Sequence, residues 1–255
     1  MGAARMFLVG GPAFSGTTLL AHLLNQGDVV CLDEPDFHNP EQSHRAIPRL
    51  RTMFPEAHYP DPAGRTLDPV ETVGFTEVCA RAIRPRLLGV KTCDWAFLKL
   101  VPIYRQAGYP VIAIFRDMRD ALVRELPEWV TEESLATVYR RIWHERESFD
   151  LWLRYEDLVV DPDAALARIS PLLSRPLRAI HEWDPETVDP AMLKLDRHNS
   201  LIEGRISRER VGIWRRSGRS FAPATHETAA LMGYAEPPGR RRSGKSSAEG
   251  AQGAS

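Results

Sequence analysis

Apolar and polar positions alternate along the chain in blocks that predict strands and helices in turn. Five short, mostly apolar runs predict β-strands at residues 5–10, 28–32, 86–91, 109–115 and 150–155. The run 109–115 is continuously apolar, which is typical of a strand buried on both faces. Helices are predicted between the strands, at 15–25, 69–83, 95–106, 119–126 and 132–150. Residues 39–70 predict a surface excursion that includes a helical part at 41–53.

This alternation predicts an α/β fold, built on a doubly wound, mainly parallel sheet. Ligands of such sheets bind beyond the carboxyl ends of the strands. Four segments are therefore expected around one crevice: 11–18, 33–38, 91–94 and 116–120. Residues 1–235 are predicted to form a single domain with a helical, loop-rich last third. Residues 236–255 have no periodicity and predict a disordered C-terminal tail.

Composition narrows the class of protein without identifying it. The 255 residues are 43% hydrophobic and 26% charged, which is ordinary for a globular protein. A net charge of −1 does not favour nucleic acid as a partner. The three cysteines are widely spaced, which predicts a reducing compartment and neither a zinc site nor a disulfide framework. We expect a cytoplasmic protein without a signal peptide or a membrane span.

The segment that carries the most chemical information is 6–20, in which an apolar run enters a glycine-containing loop and then a helix. This layout is typical of a phosphate-binding loop, because a helix start offers unpaired N–H groups and the positive end of its dipole. Gly11 and Gly16 have the spacing of a nucleotide triphosphatase loop, but Thr17 occupies the position of its lysine. Ser15, Thr17 and Thr18 add hydroxyl donors. The alternative is a strand-to-helix turn that binds no ligand.

Further charged motifs follow the later strands. Lys91 comes at the end of the third strand, and the sequence Arg116-Asp-Met-Arg119-Asp follows the fourth. Residues 154–158, Arg-Tyr-Glu-Asp-Leu, follow the fifth strand, and an arginine-rich segment at 205–215 lies near the end of the fold.

In this order, the motifs resemble the sulfotransferases that use 3′-phosphoadenosine 5′-phosphosulfate (PAPS). The resemblance covers about residues 5–220 and is closest to the bacterial type with a short Ser-Gly-Thr-Thr-Leu-Leu loop. It implies a P-loop NTPase-like sulfotransferase architecture, with PAPS as cosubstrate and no metal.

The resemblance also implies roles for individual residues. Residues 14–18 (Phe14, Ser15, Gly16, Thr17 and Thr18) match the loop that holds the 5′-phosphosulfate, and Arg116 matches the arginine that binds the 3′-phosphate. Arg124 stands where relatives have a serine that shares this phosphate, and an arginine can still bind it. The segment that contains Arg205 and Arg210 matches a late loop that closes over the same phosphate. Lys91 matches a lysine near the sulfonate, and Glu34 matches an acidic general base.

Phe14 is the main departure from the family pattern, because many relatives have a lysine or an arginine at this position. A phenylalanine cannot neutralise charge on the leaving phosphate. Lys91 is the first candidate to supply that charge, with His22, Arg119 and Arg124 as alternatives; otherwise the enzyme is slow or altered. Glu34 is the first candidate for the base, and the alternatives are Asp33, Asp36 and His38.

The sequence thus predicts sulfonate transfer to a hydroxyl or amine of a small-molecule, nucleoside or carbohydrate acceptor, as in natural-product modification. The acceptor pocket is expected from residues 33–75 and 125–150, and the protein is expected to be a monomer or a homodimer. One alternative is a P-loop kinase or NTPase with a lysine-less loop. The other is a homologue that binds the nucleotide but has lost catalysis through Phe14.

Overall fold

Five parallel strands form the centre of the protein. The computed structural model describes residues 6–35, 47, 50–59, 66–124, 126–128, 130–188, 190–193 and 199–234. The strands are β1 (Met6–Gly11), β2 (Val29–Asp33), β3 (Leu87–Cys93), β4 (Val111–Phe115) and β5 (Leu151–Arg154). They are arranged in the order β2-β3-β1-β4-β5. All pairs are parallel, which confirms the predicted sheet.

Helices cover both faces of this sheet. The described helices are α1 (Thr17–Leu24), α2 (Pro69–Ala82), α3 (Asp94–Gln106), α4 (Met118–Leu122), α5 (Glu132–His144), α6 (Tyr155–Val160), α7 (Pro162–Leu173), α8 (Asn199–Glu203) and α9 (Pro223–Leu231). Buried residues of α1, α6 and α7 form one apolar cluster with the sheet, and those of α2, α3 and α5 form another. The sheet is therefore doubly wound, as predicted.

Helix boundaries follow local capping signals where the sequence provides them. Asp68 accepts a hydrogen bond from the Glu71 N–H in a capping box, and Pro69 takes the first helical position of α2. Thr131 and Ser134 form the equivalent box at the start of α5.

Two predicted helices are longer than the observed ones. The prediction of 119–126 is wrong at its end, because α4 stops at Leu122 and the chain turns there toward α5. The prediction of 132–150 is also too long: α5 ends at His144, and a 3₁₀ turn at Arg146–Ser148 leads into β5. Of the predicted helix 41–53, residues 47 and 50–53 are helical and the others lie outside the described residues. The predicted tail also lies outside them.

Strand order places the functional segments at one edge of the sheet. β1 lies between β3 and β4, so the loop after β1 adjoins the carboxyl ends of both neighbours. β2 and β3 lie on one side of β1, whereas β4 and β5 lie on the other. Parallel α/β sheets bind ligands at the point where the chain changes from adding strands on one side to adding them on the other.

Candidate active site

The loop between β1 and α1 lies against the ends of the neighbouring strands. Ser15 is fully buried, and its hydroxyl donates a 2.9 Å hydrogen bond to the Ile114 carbonyl of β4. Gly11 approaches the same carbonyl so closely that a Cβ there would lie 2.2 Å from its oxygen. The Ser15 hydroxyl therefore anchors the loop to β4, a task that the sequence motif alone did not reveal.

The start of α1 is suited to anion binding. Gly16 has a left-handed backbone with φ of 97°, and a Cβ at this position would lie 2.4 Å from the Tyr155 ring. Only glycine fits both requirements. No side chain of the described residues caps α1, which leaves its first N–H groups and the positive end of its dipole for an anion.

A narrow cleft of about 60 Å³ adjoins this helix start. Its wall is formed by the loop and α1, by the residues at the ends of β4 and β5, by α8 and by the arginine-rich segment. The lining residues are Phe14, Gly16, Thr17, Thr18, Leu19, Arg116, Arg124, Tyr155, Ser200, Leu201 and Arg210. The fold thus brings most of the predicted donor-binding residues together, including all three arginines on this list.

Arg116 is the buried cation of the cleft. Its side chain is only 3% exposed, and its guanidinium lies 4.4 Å from the centroid of the Tyr155 ring. One terminal nitrogen donates to the Arg210 carbonyl. The Nε atom is buried, and it has no hydrogen-bond partner among the residues that the structure describes. A buried donor without a partner is costly, so Arg116 retains hydrogen-bonding capacity that the described residues do not use.

A carboxylate holds the segment that follows Arg210. Asp120 accepts hydrogen bonds from the Gly212 N–H at 2.6 Å and from the Trp214 N–H at 3.0 Å. Burial raises the pKa of Asp120, although these two backbone donors oppose the effect. The late basic segment is therefore fixed over the end of β4 by backbone contacts.

Arg205 and Phe14 occupy less expected places. The Arg205 side chain is 58% exposed and lies 3.9 Å from Glu203 and 4.0 Å from Glu209, and it does not line the cleft. Phe14 lines the cleft with φ of 65°, an uncommon backbone for a residue other than glycine. The Arg124 guanidinium lies 5.7 Å from the centroid of the Phe14 ring. The structure thus places Arg124 next to the position where relatives carry a cation.

Arg119 and His22, two of the alternative cations, are surrounded by other groups of the protein. Arg119 is fully buried and donates from Nε and from a terminal nitrogen to the two carboxylate oxygens of Asp117. Its guanidinium also lies 3.9 Å from the Trp214 ring centroid. His22 lies in the last turn of α1, 4.6 Å from the Trp183 ring, and burial lowers its pKa. Neither side chain lines the cleft.

Lys91 belongs to a second, acidic cluster at the ends of β2 and β3. It pairs in register with Asp33, and its Nζ lies 2.9 Å from the Asp33 carboxylate and 2.7 Å from that of Glu34. Burial alone would lower the pKa of Lys91, but the two carboxylates outweigh it and raise this pKa well above its ordinary value. Lys91 is thus protonated, with its charge offset by two neighbours. The predicted catalytic pair is in direct contact.

Cys93 links this acidic cluster to the phosphate-loop side. Its sulfur lies 3.3 Å from the Thr17 hydroxyl and 3.5 Å from a Glu34 carboxylate oxygen. Burial raises the pKa of the Cys93 thiol. Sequence reasoning missed Cys93 and Tyr155 as site residues, although both stand where a strand of the predicted sheet ends. Of the alternative bases, Asp33 is engaged with Lys91, and Asp36 and His38 lie outside the described residues.

Two general searches concern the described residues only. They contain no group of three or more His, Cys, Asp or Glu side chains placed to hold a metal ion. No described helix has both the length and the apolar character that a membrane span needs.

Comparison with known proteins identifies the fold. No protein-family model matches the chain, and no curated protein matches it. Among solved structures, the sulfotransferase domain from the curacin biosynthetic pathway matches with a TM-score of 0.60 and 16% identity, over 92% of this chain and 99% of that one. The sulfotransferase domain of the Synechococcus PCC 7002 olefin synthase matches with a TM-score of 0.61 and 16% identity, over 93% and 98%. The chain therefore has the sulfotransferase fold.

Proposed function

We propose that the protein is a PAPS-dependent sulfotransferase, which moves a sulfonate group to a hydroxyl or an amine of a small-molecule or carbohydrate acceptor. The observation that carries the proposal is the cleft at the uncapped start of α1, which Arg116, Arg124 and Arg210 line. The fold supports it, since two domains of similar fold bear the name sulfotransferase. By analogy with the curacin domain, the acceptor is a natural-product intermediate.

The residues of the cleft fit the two phosphate positions of the donor. The N–H groups at the start of α1 would hold the 5′-phosphosulfate, and Arg116, with Arg124 and Arg210, would hold the 3′-phosphate. When bound, PAPS supplies an activated sulfonate on a good leaving group. The cleft volume of about 60 Å³ is far smaller than an ordinary ligand pocket, so we expect side chains on its rim to move outward as a nucleotide enters.

Glu34 is proposed as the general base. Its carboxylate lies within 3.5 Å of the same sulfur that contacts Thr17, which places it beside the loop that would hold the sulfonate. Glu34 accepts the proton of the acceptor hydroxyl as the acceptor oxygen forms its bond to sulfur and the phosphate oxygen leaves. A well-placed base contributes about 10²- to 10⁴-fold.

Proton uptake by Glu34 would also activate Lys91. In the structure the ammonium is neutralised by Asp33 and Glu34, so it offers little charge to an anion. Once Glu34 is protonated, Lys91 keeps one carboxylate partner and can donate toward developing negative charge. Base and cation would then act in the same step, which compensates in part for the apolar Phe14.

A non-catalytic nucleotide-binding protein is the second candidate. Two observations favour it: Phe14 carries no charge, and the charge of Lys91 is offset by two carboxylates. Such a protein would bind the nucleotide through Arg116 but would not turn it over.

An activity measurement separates the two candidates. The protein is incubated with PAPS and a panel of alcohols, phenols, amines and sugars, and the release of adenosine 3′,5′-bisphosphate (PAP) is followed together with the mass of the products. We expect PAP and a sulfated product in equal amounts for at least one acceptor class. PAP binding without product from any class would support the non-catalytic candidate, and transfer from ATP–Mg²⁺ would contradict both.

A further inference from the structure

A second cavity shares Phe14 with the cleft as a lining residue. It has a volume of about 480 Å³, within the usual range for a pocket that holds a small molecule. Its wall comes from the phosphate loop, the start of α3 and the region from 130 to 138 at the start of α5. The lining residues are Ala13, Phe14, Asp94, Trp95, Val130, Thr131, Glu133, Ser134, Leu135, Thr137 and Val138. Phe14 thus forms a wall common to the cleft and this cavity.

Two of the three hydroxyl groups of the cavity have their protons engaged by backbone carbonyls of the same region. The Ser134 hydroxyl donates to the Thr131 carbonyl, and the Thr137 hydroxyl donates to the Glu133 carbonyl. The Thr131 hydroxyl accepts from the Ser134 N–H in the capping box. What these side chains still offer a ligand is therefore lone pairs and the single hydroxyl proton of Thr131.

The charges of the cavity are both negative. Asp94 and Glu133 contribute carboxylates, and none of the described residues that line the cavity is a lysine, arginine or histidine. One oxygen of Asp94 accepts the Ala13 N–H at 2.7 Å, and its other oxygen can accept from a ligand. Glu133 is exposed. Trp95, which is 49% exposed, and Phe14 supply apolar surface.

We propose that this cavity is the acceptor site and that it selects neutral or cationic molecules with an apolar body and hydrogen-bond donors. An alcohol, a phenol or an amine can donate to the carboxylates and hydroxyl oxygens. A carboxylated, phosphorylated or already sulfated molecule brings acceptors and negative charge against the same groups and is rejected. That the bound molecule is the sulfonate acceptor rests on the proposed function. The preference for neutral or cationic molecules over anionic ones is a property of the cavity alone.

The test uses three phenols that share a two-carbon side chain and differ in the group at its end, which is cationic, absent or anionic: tyramine, 4-ethylphenol and 3-(4-hydroxyphenyl)propionate. Binding to the full chain is measured by ligand-observed NMR titration, with and without PAP. We expect tyramine and 4-ethylphenol to bind at least tenfold more tightly than the propionate. Equal or tighter binding of the propionate would overturn the proposal.

Charge reversal tests whether the preference comes from this cavity. Glu133→Lys is expected to change the ratio of tyramine affinity to propionate affinity at least fivefold in favour of the propionate. Glu186→Lys, an equal change on an exposed turn outside the cavity, is the matched control and should leave the ratio unchanged. If Glu133→Lys does not fold, Glu133→Gln is expected to shift the ratio in the same direction by a smaller factor. An unchanged ratio in a folded Glu133 variant would refute the assignment of the cavity.

A PAP titration of the same samples distinguishes this proposal from the proposed function. If PAP binds but the three phenols show no preference, the charge selection is wrong and the donor site stands. If PAP does not bind but the preference and its Glu133 dependence are found, the cavity is a ligand site of the stated chemistry and the sulfotransferase proposal fails.

Discussion

Arg116 and Lys91 are both cations buried at the carboxyl end of a strand, but their surroundings differ. Lys91 is held between Asp33 and Glu34, at 2.9 and 2.7 Å. Arg116 has an aromatic ring and a carbonyl as neighbours, and the described residues place no carboxylate within 4 Å of its nitrogens. Lys91 therefore has two carboxylates at hydrogen-bond distance, whereas Arg116 interacts with the carboxylates of Asp120 and Glu156 only over a longer distance.

The difference arises from where the nearby carboxylates are directed. Asp117 and Asp120 are close to Arg116 in the sequence, yet Asp117 accepts from Arg119 and Asp120 accepts from backbone N–H groups of the late segment. Both acids thus direct their hydrogen bonds to other groups, although the Arg116 charge still acts on Asp120 and opposes the effect of burial on its pKa. A lysine or arginine after a strand is therefore an anion site only if the fold engages its acidic neighbours elsewhere.

Replacing the base gives the largest expected effect and tests the chemical role of the acidic cluster. Glu34→Gln should lower kcat for sulfonate transfer by about 10²- to 10⁴-fold, because the amide cannot accept the acceptor proton. PAP affinity should stay within threefold. Steady-state kinetics with the best acceptor of the panel measures both, and Glu227→Gln on exposed α9 is the control. Unchanged kcat would remove Glu34 from the mechanism.

Removing the satisfied cation should destabilise the fold. Lys91→Met leaves two carboxylates without their shared partner and should lower the free energy of unfolding by about 3–5 kcal/mol. The double variant Lys91→Met/Asp33→Asn should recover part of this loss, since one of the two charges is then removed. Urea denaturation checks both values. A loss below about 1 kcal/mol in the single variant would show that the ion pairs are not important for stability.

Removing the Arg116 charge should weaken PAP binding and leave the stability of the fold nearly unchanged. Arg116→Met keeps an apolar chain against Tyr155, so we expect the free energy of unfolding to change by less than about 1.5 kcal/mol, the value of one hydrogen bond. PAP affinity should fall about 100-fold, from the loss of charge-assisted hydrogen bonds. Calorimetry measures the affinity, and exposed Arg178→Met is the matched control. If Arg116→Met destabilised the protein as much as Lys91→Met, the contrast between the two cations would fail.

The smallest expected effect concerns Asp94, between the two regions. Burial raises the pKa of its carboxyl above the unfolded value, so its contribution to stability is present at low pH and is lost as pH rises through the folded pKa. Asp94→Asn removes this dependence and keeps an acceptor for the Ala13 N–H. Asparagine also tolerates the positive φ of 53°. The variant should gain on the order of 1 kcal/mol or less relative to wild type between pH 4.5 and pH 7.5.

Chemical denaturation at the two pH values checks this prediction, and Asp94→Ala is the informative control. The alanine variant removes the same charge but also loses the hydrogen bond to Ala13, so it should be less stable than Asp94→Asn at both pH values. A stability gain for Asp94→Asn that is larger at pH 4.5 than at pH 7.5 would contradict the direction of the pKa shift.

The fold could be predicted from the sequence because its signals are local. Apolar runs and capping residues such as Asp68 specify the strands and most helix starts, and alternation implies a parallel sheet. Helix ends at Leu122 and His144 could not be predicted, because tertiary packing decides where the chain turns. The order of the strands is likewise not contained in any single segment.

The positions of the site residues could be predicted from the sequence, but the contacts of their side chains could not. The phosphate loop, Arg116 and Lys91 are conspicuous as residues that follow strands. That Ser15 anchors the loop to β4, that Arg205 faces away from the cleft lining, and that Lys91 is neutralised depend on contacts between distant segments. The sequence pattern shows where the cations lie along the chain, but only the fold shows which of them are paired with carboxylates.

Calorimetric titration of the wild-type protein with PAP, ADP and ATP–Mg²⁺ determines whether Arg116 belongs to a site for a nucleotide with a 3′-phosphate. We expect PAP to bind at least tenfold more tightly than ADP, which lacks that phosphate, and Mg²⁺ to have no effect on binding. Equal affinities for PAP and ADP, or a preference for ATP–Mg²⁺, would contradict it.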